Sequence, residues 1–255
     1  MSEIKLSDKD FLEAFIKNNL EYKKIINDIL FESSKKYSDI ESIKSIVIQL
    51  IEIYVIITET VLMVLYAIRK YQYNGKSFLS IYKSIKISES ENSKMSTEKI
   101  LETIMNLNVE DFIKYFNLPS YDEFYSSVSK EKQNEAKQLF GNEEEIKTQL
   151  YIEYSNLKKT LEALAQNRIK IGDTDIIPFY RMYNKLKHGM QIYTEKDKDN
   201  IGFIDEVNSV DSITSKITID FILFQNKHIL YYHNQINNMI FSLKHLISLI
   251  IWRLN

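Results

Sequence analysis

Arg181, Asn184, Lys185 and His188 fall within one short stretch, "RMYNKLKHGM" (181–190), in which Gly189 follows directly after the histidine. At about 100° per residue, a helix gathers these four side chains within roughly 60° to 100° of arc. Phe179, Met182, Tyr183, Leu186 and Met190 fall on the opposite side, where they can anchor the segment to a core. Arg181 and His188 stand about 10 Å apart along the axis of such a helix, near enough for their side chains to converge on one anion. The chemistry that suits them is phosphodiester cleavage: imidazole passes protons near neutral pH, and guanidinium holds phosphate through a planar fork and stabilises developing charge. Asn184 would orient the ligand or the imidazole, and Lys185 and Lys187 would hold flanking phosphates as salt-sensitive contacts. No metal is required. A second account also fits the spacing, because cations in a last turn suit the helix dipole and glycine is the residue a helix uses just past its end.

Long helices must position such a segment. Residues 8–34 place Phe11, Phe15, Leu20, Ile25, Ile26, Leu30 and Phe31 at near-helical spacing, with Ser7 and Asp8 as caps. A second long helix is expected over 39–70, "NGK" at 74–76 reads as a turn, and 77–86 as a short helix. The serine- and glutamate-rich stretch 87–99 reads as a mobile exposed loop. Three short helices follow, opened by Thr97, Asn108 and Ser120. Asn142 with Glu143, Glu144 and Glu145 starts another, whose stripe runs from Ile146 to Leu164; its glutamates read as a cap and a solvated face. "KIGDTD" breaks the chain, and Asp175 and Pro178 start the motif helix. Beyond Gly189 the period shortens, and 190–224 reads as two or three strands in a small β-meander. A last helix spans roughly 226–254.

Composition agrees with a mostly α chain. With 255 residues, 44% apolar and 27% charged, it has the makeup of a soluble globular protein, and 5 Gly and 2 Pro leave long elements uninterrupted. The whole, 1–255, reads as a single helical domain. The net charge of −2 excludes a histone-like polyanion binder, so nucleic acid would have to meet a local basic patch. With 0 Cys there is neither disulfide nor thiolate metal site, and Met1–Lys5 lacks the layout of a signal peptide; both fit a cytoplasmic location. Ile46–Ile68 is long enough to cross a bilayer, but Gln49, Glu52 and Glu59 lie inside it and favour a buried core helix over a membrane segment. His228 and His233 are five residues apart, on different sides of the last helix and without a suitably spaced carboxylate, which argues against zinc. His245, in an apolar stretch, reads as a core or interface histidine. No glycine-rich phosphate loop, nucleophile elbow or HExxH sequence is present.

The 181–190 stretch resembles the signature of the HEPN superfamily, all-helical proteins many of which are metal-independent ribonucleases of toxin–antitoxin and phage-defence systems. The family pattern is an Arg, four to six residues beginning with a polar one, then a His; Arg181 and His188 match its longest spacing, and "YNKLKHG" resembles the form closed by "N…KHG". The firm match covers about ten residues. The resemblance implies a HEPN-like helical bundle, with 190–224 as an insertion. It also implies a homodimer whose two motifs line one cleft, RNA as substrate, no cofactor, and an antitoxin or regulatory protein as partner. Arg181, His188 and Asn184 would then be catalytic, and Lys185, Lys187 and Tyr183 would contact RNA. Met182 stands where the family has a polar residue and Tyr183 where a tighter version has Arg, which leaves open an inactive relative that binds nucleotide, RNA or protein.

Overall fold

The first helix, α1 (Asp8–Phe15), opens with a reciprocal cap: Ser7 Oγ accepts the Asp10 N–H at 3.1 Å, and the Asp10 carboxylate accepts the Ser7 N–H at 3.4 Å. Asp8 serves a different helix. Its carboxylate accepts the Phe78 N–H at 2.6 Å and the Leu79 N–H at 3.1 Å, satisfying the first turn of α4 (Phe78–Ser84), where donors lack helical partners and negative charge suits the dipole. The computed structural model describes residues 7–71, 77–85, 97–120, 122–123, 126, 129–165, 169–171, 174–176, 192–193, 200–210, 215–223 and 226–253. These residues are mostly helical.

The helix expected to run unbroken over 8–34 contains one π turn, Ile16–Leu20, between α1 and α2 (Glu21–Ser34). Leu12 and Leu20 are both buried. In a regular helix they would stand about 80° apart, and the extra residue of the π turn brings them within about 20°. α3 (Ile40–Tyr71) starts from Asp39, whose carboxylate accepts the Ser42 N–H at 2.8 Å. It is long and apolar enough to cross a membrane, and more than half of its most apolar window is buried inside the protein. Glu59 is half-buried, and Gln49 and Glu52 are exposed.

Of the loop expected over 87–99, residues 87–96 lie outside the described residues and 97–99 form the first turn of α5 (Thr97–Met105). Asn108 caps α6 (Val109–Phe116), accepting the Asp111 N–H at 2.8 Å, and Asn117 ends it in the left-handed region at φ 52°. Ser120 and Glu123 make the next reciprocal cap, at 3.2 and 3.1 Å. α7 (Lys130–Phe140) has too few apolar residues to show a period in sequence. Gly141, at φ +91°, separates it from α8 (Glu143–Ala165); a Cβ there would collide with the Glu145 side chain that accepts the Asn142 N–H at 2.9 Å. Thus Glu145 closes a cap, while Glu143 and Glu144 pair with Lys147 on the solvated face.

β1 (Ile169–Ile171) and β2 (Thr174–Ile176) pair antiparallel. β3 (Ile192–Tyr193), β4 (Asn200–Ser209) and β5 (Ser215–Leu223) form an antiparallel sheet in that order. The β4–β5 register steps from Ile204↔Ile219 to Glu206↔Thr218, leaving Asp205 as a bulge. α9 (Asn226–Arg253) closes the chain.

Two compact units result, one from Met1–Lys23, Glu59–Glu162 and Asn238–Asn255, the other from Lys24–Thr58 and Ala163–Asn237. In the first, Val61, Leu62 and Leu65 of α3, Phe112 and Phe116 of α6 and Leu243 of α9 are wholly buried. Tyr66 meets Phe116 edge-on at 5.6 Å, and the Tyr154 hydroxyl donates to the Pro119 carbonyl at 2.9 Å, tying α8 to the chain after α6. In the second, Val47, Leu50 and Ile51 of α3 and Ile236 of α9 are buried, and Tyr54 packs against Tyr232 at 5.7 Å. Leu65→Ala should lower stability by about 2 to 5 kcal/mol, read by urea denaturation, because the lost transfer energy and the remaining cavity add at a site with no exposed surface.

Candidate functional site

Arg181, Tyr183, Asn184, Lys185, Lys187 and His188 all lie outside the described residues, as does the whole of 177–191. The chain is described in β2 up to Ile176 and next in β3 from Ile192. The described residues do contain two polar clusters.

The first joins α2 to α9. Asn27 is fully buried, and its Nδ2 donates to Asn237 Oδ1 and to the His233 backbone carbonyl, each at 3.1 Å. With its oxygen so engaged, Asn237 turns its Nδ2 toward His233 Nε2 at 3.2 Å. An amide nitrogen can only donate, so Nε2 must accept and the neutral ring carries its proton on Nδ1. That Nδ1, and Asn27 Oδ1, are buried without a hydrogen-bond partner among the described residues. The ring stacks on Phe31 at 4.1 Å and 12°, and Lys35 Nζ sits 4.4 Å from the centroid of the same phenyl ring. Asp28 Oδ1 is 3.9 Å from Nε2 and pairs with Lys24 at 3.0 Å. Burial is the largest influence on the imidazole and lowers its pKa; Asp28 and then the Asn27 backbone pull the other way, and Lys24 and Lys35 reinforce burial.

The second cluster lies at the end of α3. Arg69 stacks its guanidinium on Tyr115 of α6 at 3.8 Å from the ring centroid, and the Tyr66 and Tyr115 hydroxyls are 3.4 Å apart. Burial, and then Tyr115, push the Tyr66 phenol up, while Arg69 opposes them. Neither cluster brings a nucleophile to a general base. Among the described residues no group of three or more His, Cys, Asp or Glu side chains is placed to hold a metal ion.

His245 is not the core histidine that was one of its two expected roles. Its side chain is 51% exposed, with Nδ1 3.9 Å from Glu153 Oε2 and its ring edge-on to exposed Phe241 at 4.6 Å. Phe241 and His245 are four apart and share the solvent face of α9, while the apolar neighbours that suggested burial, Leu243, Leu246 and Ile247, occupy the inner face. His228 is buried, whereas His233 packs on α2. Asn27, Asp28 and Asn237 were not singled out from sequence; the available hint is an asparagine set between Ile26 and Leu30 on an apolar stripe. Comparison with family models, curated proteins and solved structures finds no match for this chain.

Asn27→Ala should destabilise the protein by about 1 to 3 kcal/mol in chemical denaturation, since it strips Asn237 Oδ1 and the His233 carbonyl of their donor in a buried setting. A change within measurement error would show that water replaces the amide freely.

Proposed function

We propose that the chain is a HEPN-like, metal-independent endoribonuclease that cuts RNA with Arg181 and His188. The observation that carries this reading is the Arg181-x6-His188 motif closed by "KHG" in a chain that is otherwise mostly helical. His188 acts as the proton-transfer group at the 2′-hydroxyl or the leaving oxygen, Arg181 stabilises the charge that builds on the phosphate, and Asn184 orients one or the other. Lys185 and Lys187 hold neighbouring phosphates, with Tyr183 beside them on the RNA. Two copies pair so that both motifs line one cleft, the strands after the motif form an insertion on the helical bundle, and the enzyme serves as a cytoplasmic toxin or phage-defence effector restrained by an antitoxin or regulatory protein.

Met182 and Tyr183 favour a second reading, a catalytically inactive member that binds nucleotide, RNA or protein through the same face. One experiment separates the two. Purified protein is incubated with labelled RNA in the presence of chelator, alongside His188→Ala and Arg181→Ala, with circular dichroism confirming that each variant folds. The nuclease reading predicts chelator-resistant cleavage that falls by about 100-fold or more in each variant. Cleavage unchanged in both variants would end it. Binding without turnover, weakened by salt and by Lys185→Ala with Lys187→Ala, would establish the inactive binder.

A further inference from the structure

We propose that His233 is an acid-sensitive latch between α2 and α9: when the ring takes up a second proton it must leave Asn237 and turn toward Asp28, loosening the amide chain that joins the two helices. The inference is independent of Arg181 and His188.

The geometry forces the choice. Asn27 fixes the Asn237 amide by donating to its oxygen at 3.1 Å, so Asn237 can offer His233 Nε2 only a donor. The neutral ring accepts that donor. The imidazolium cannot, because its new proton sits on Nε2 and would face the Asn237 N–H across 3.2 Å. Asp28 Oδ1, at 3.9 Å from Nε2, is the nearby acceptor, about 1 Å beyond hydrogen-bond reach, so the ring has to swing to gain it. That swing breaks the Asn237 contact and slides the ring on Phe31, with which it is stacked at 4.1 Å. Asn27 Oδ1 is buried without a hydrogen-bond partner among the described residues, so the cluster is incompletely satisfied even with the ring neutral.

The charged groups that face the ring come from α2: Asp28 favours the imidazolium, and Lys24 and Lys35 oppose it. On α9 itself the neighbour is the neutral Asn237. Burial outweighs Asp28, so the folded ring titrates below the ordinary value of 6.5. The sign follows. A depressed folded value means that the unfolded chain binds the proton more readily, so the stability is fully present above 6.5 and is lost as pH falls through the folded value.

The full-length protein and His233→Gln are unfolded with denaturant at about pH 7.5 and about pH 5, on either side of the ordinary histidine range. Glutamine can offer an amide oxygen to Asn237 but does not titrate. The wild-type transition midpoint should fall on acidification by clearly more than that of the variant; equal falls would overturn the latch. Should the variant fail to fold, the His233 ring signals of the wild type decide by NMR titration. Titration below the ordinary value, with loss of the Phe31 ring-current shift as the proton binds, supports the latch, and titration at or above that value overturns it. Asp28→Asn removes the acceptor that compensates the charge, so its acid loss should be steeper than that of the wild type; a shallower or unchanged loss counts against Asp28 as the alternative partner.

Discussion

A helix of 32 residues that is apolar on most of its faces has to be covered, and the described structure is organised around meeting that demand for α3. Each fully buried Leu, Ile or Val contributes roughly 1.5 to 3 kcal/mol, whereas an intramolecular hydrogen bond between neutral groups nets about 1 kcal/mol. Covering α3 is therefore the dominant favourable term, and hydrogen bonds decide how the covering elements are set. Tyr54 finds Tyr232 in one unit, and Tyr66 finds Phe116 and Tyr71 finds Phe78 in the other. Thr58, fully buried on α3, loses no hydrogen bond, because its hydroxyl donates to the Tyr54 carbonyl one turn back at 2.8 Å.

Polar side chains then act where helices begin, end or meet. Asp8 leaves its own helix to cap α4, Tyr154 reaches the Pro119 carbonyl, and Asn27 spends both its protons on α9. Each supplies a directional bond that apolar contact lacks. The Asn27–Asn237–His233 chain is a case where the fit is incomplete, with Asn27 Oδ1 buried and unpartnered among the described residues, and an incompletely satisfied buried network is where a change of protonation has most effect.

Most of the helices were legible in the sequence because their signals are local. Ser7, Asn108, Ser120 and Asn142 each mark a start by a side chain that reaches only three residues ahead, and the apolar stripes of α3, α8 and α9 repeat every turn. The π turn was not legible, because it depends on whether Leu12 and Leu20 must face the same way, and neighbouring residues do not state that. α7 went unnoticed for the opposite reason, since its exposed charged residues fit a helix and a loop equally well. His245 lies outside the core despite its apolar setting because sequence neighbours one or two positions away lie on other faces of a helix.

For the candidate sites the division is equally physical. The residue types, order and spacing of Arg181, Asn184, Lys185 and His188 are properties of the chain itself, so the chemistry they suit can be derived before any folding. So too can the mostly helical character, which follows from periodicity and the scarcity of glycine and proline. The meeting of Asn27 with Asn237, 210 positions away, could come only from the tertiary structure. A contact closed over so long a loop leaves no trace in local propensity, and its partners are chosen by which helix faces are buried together.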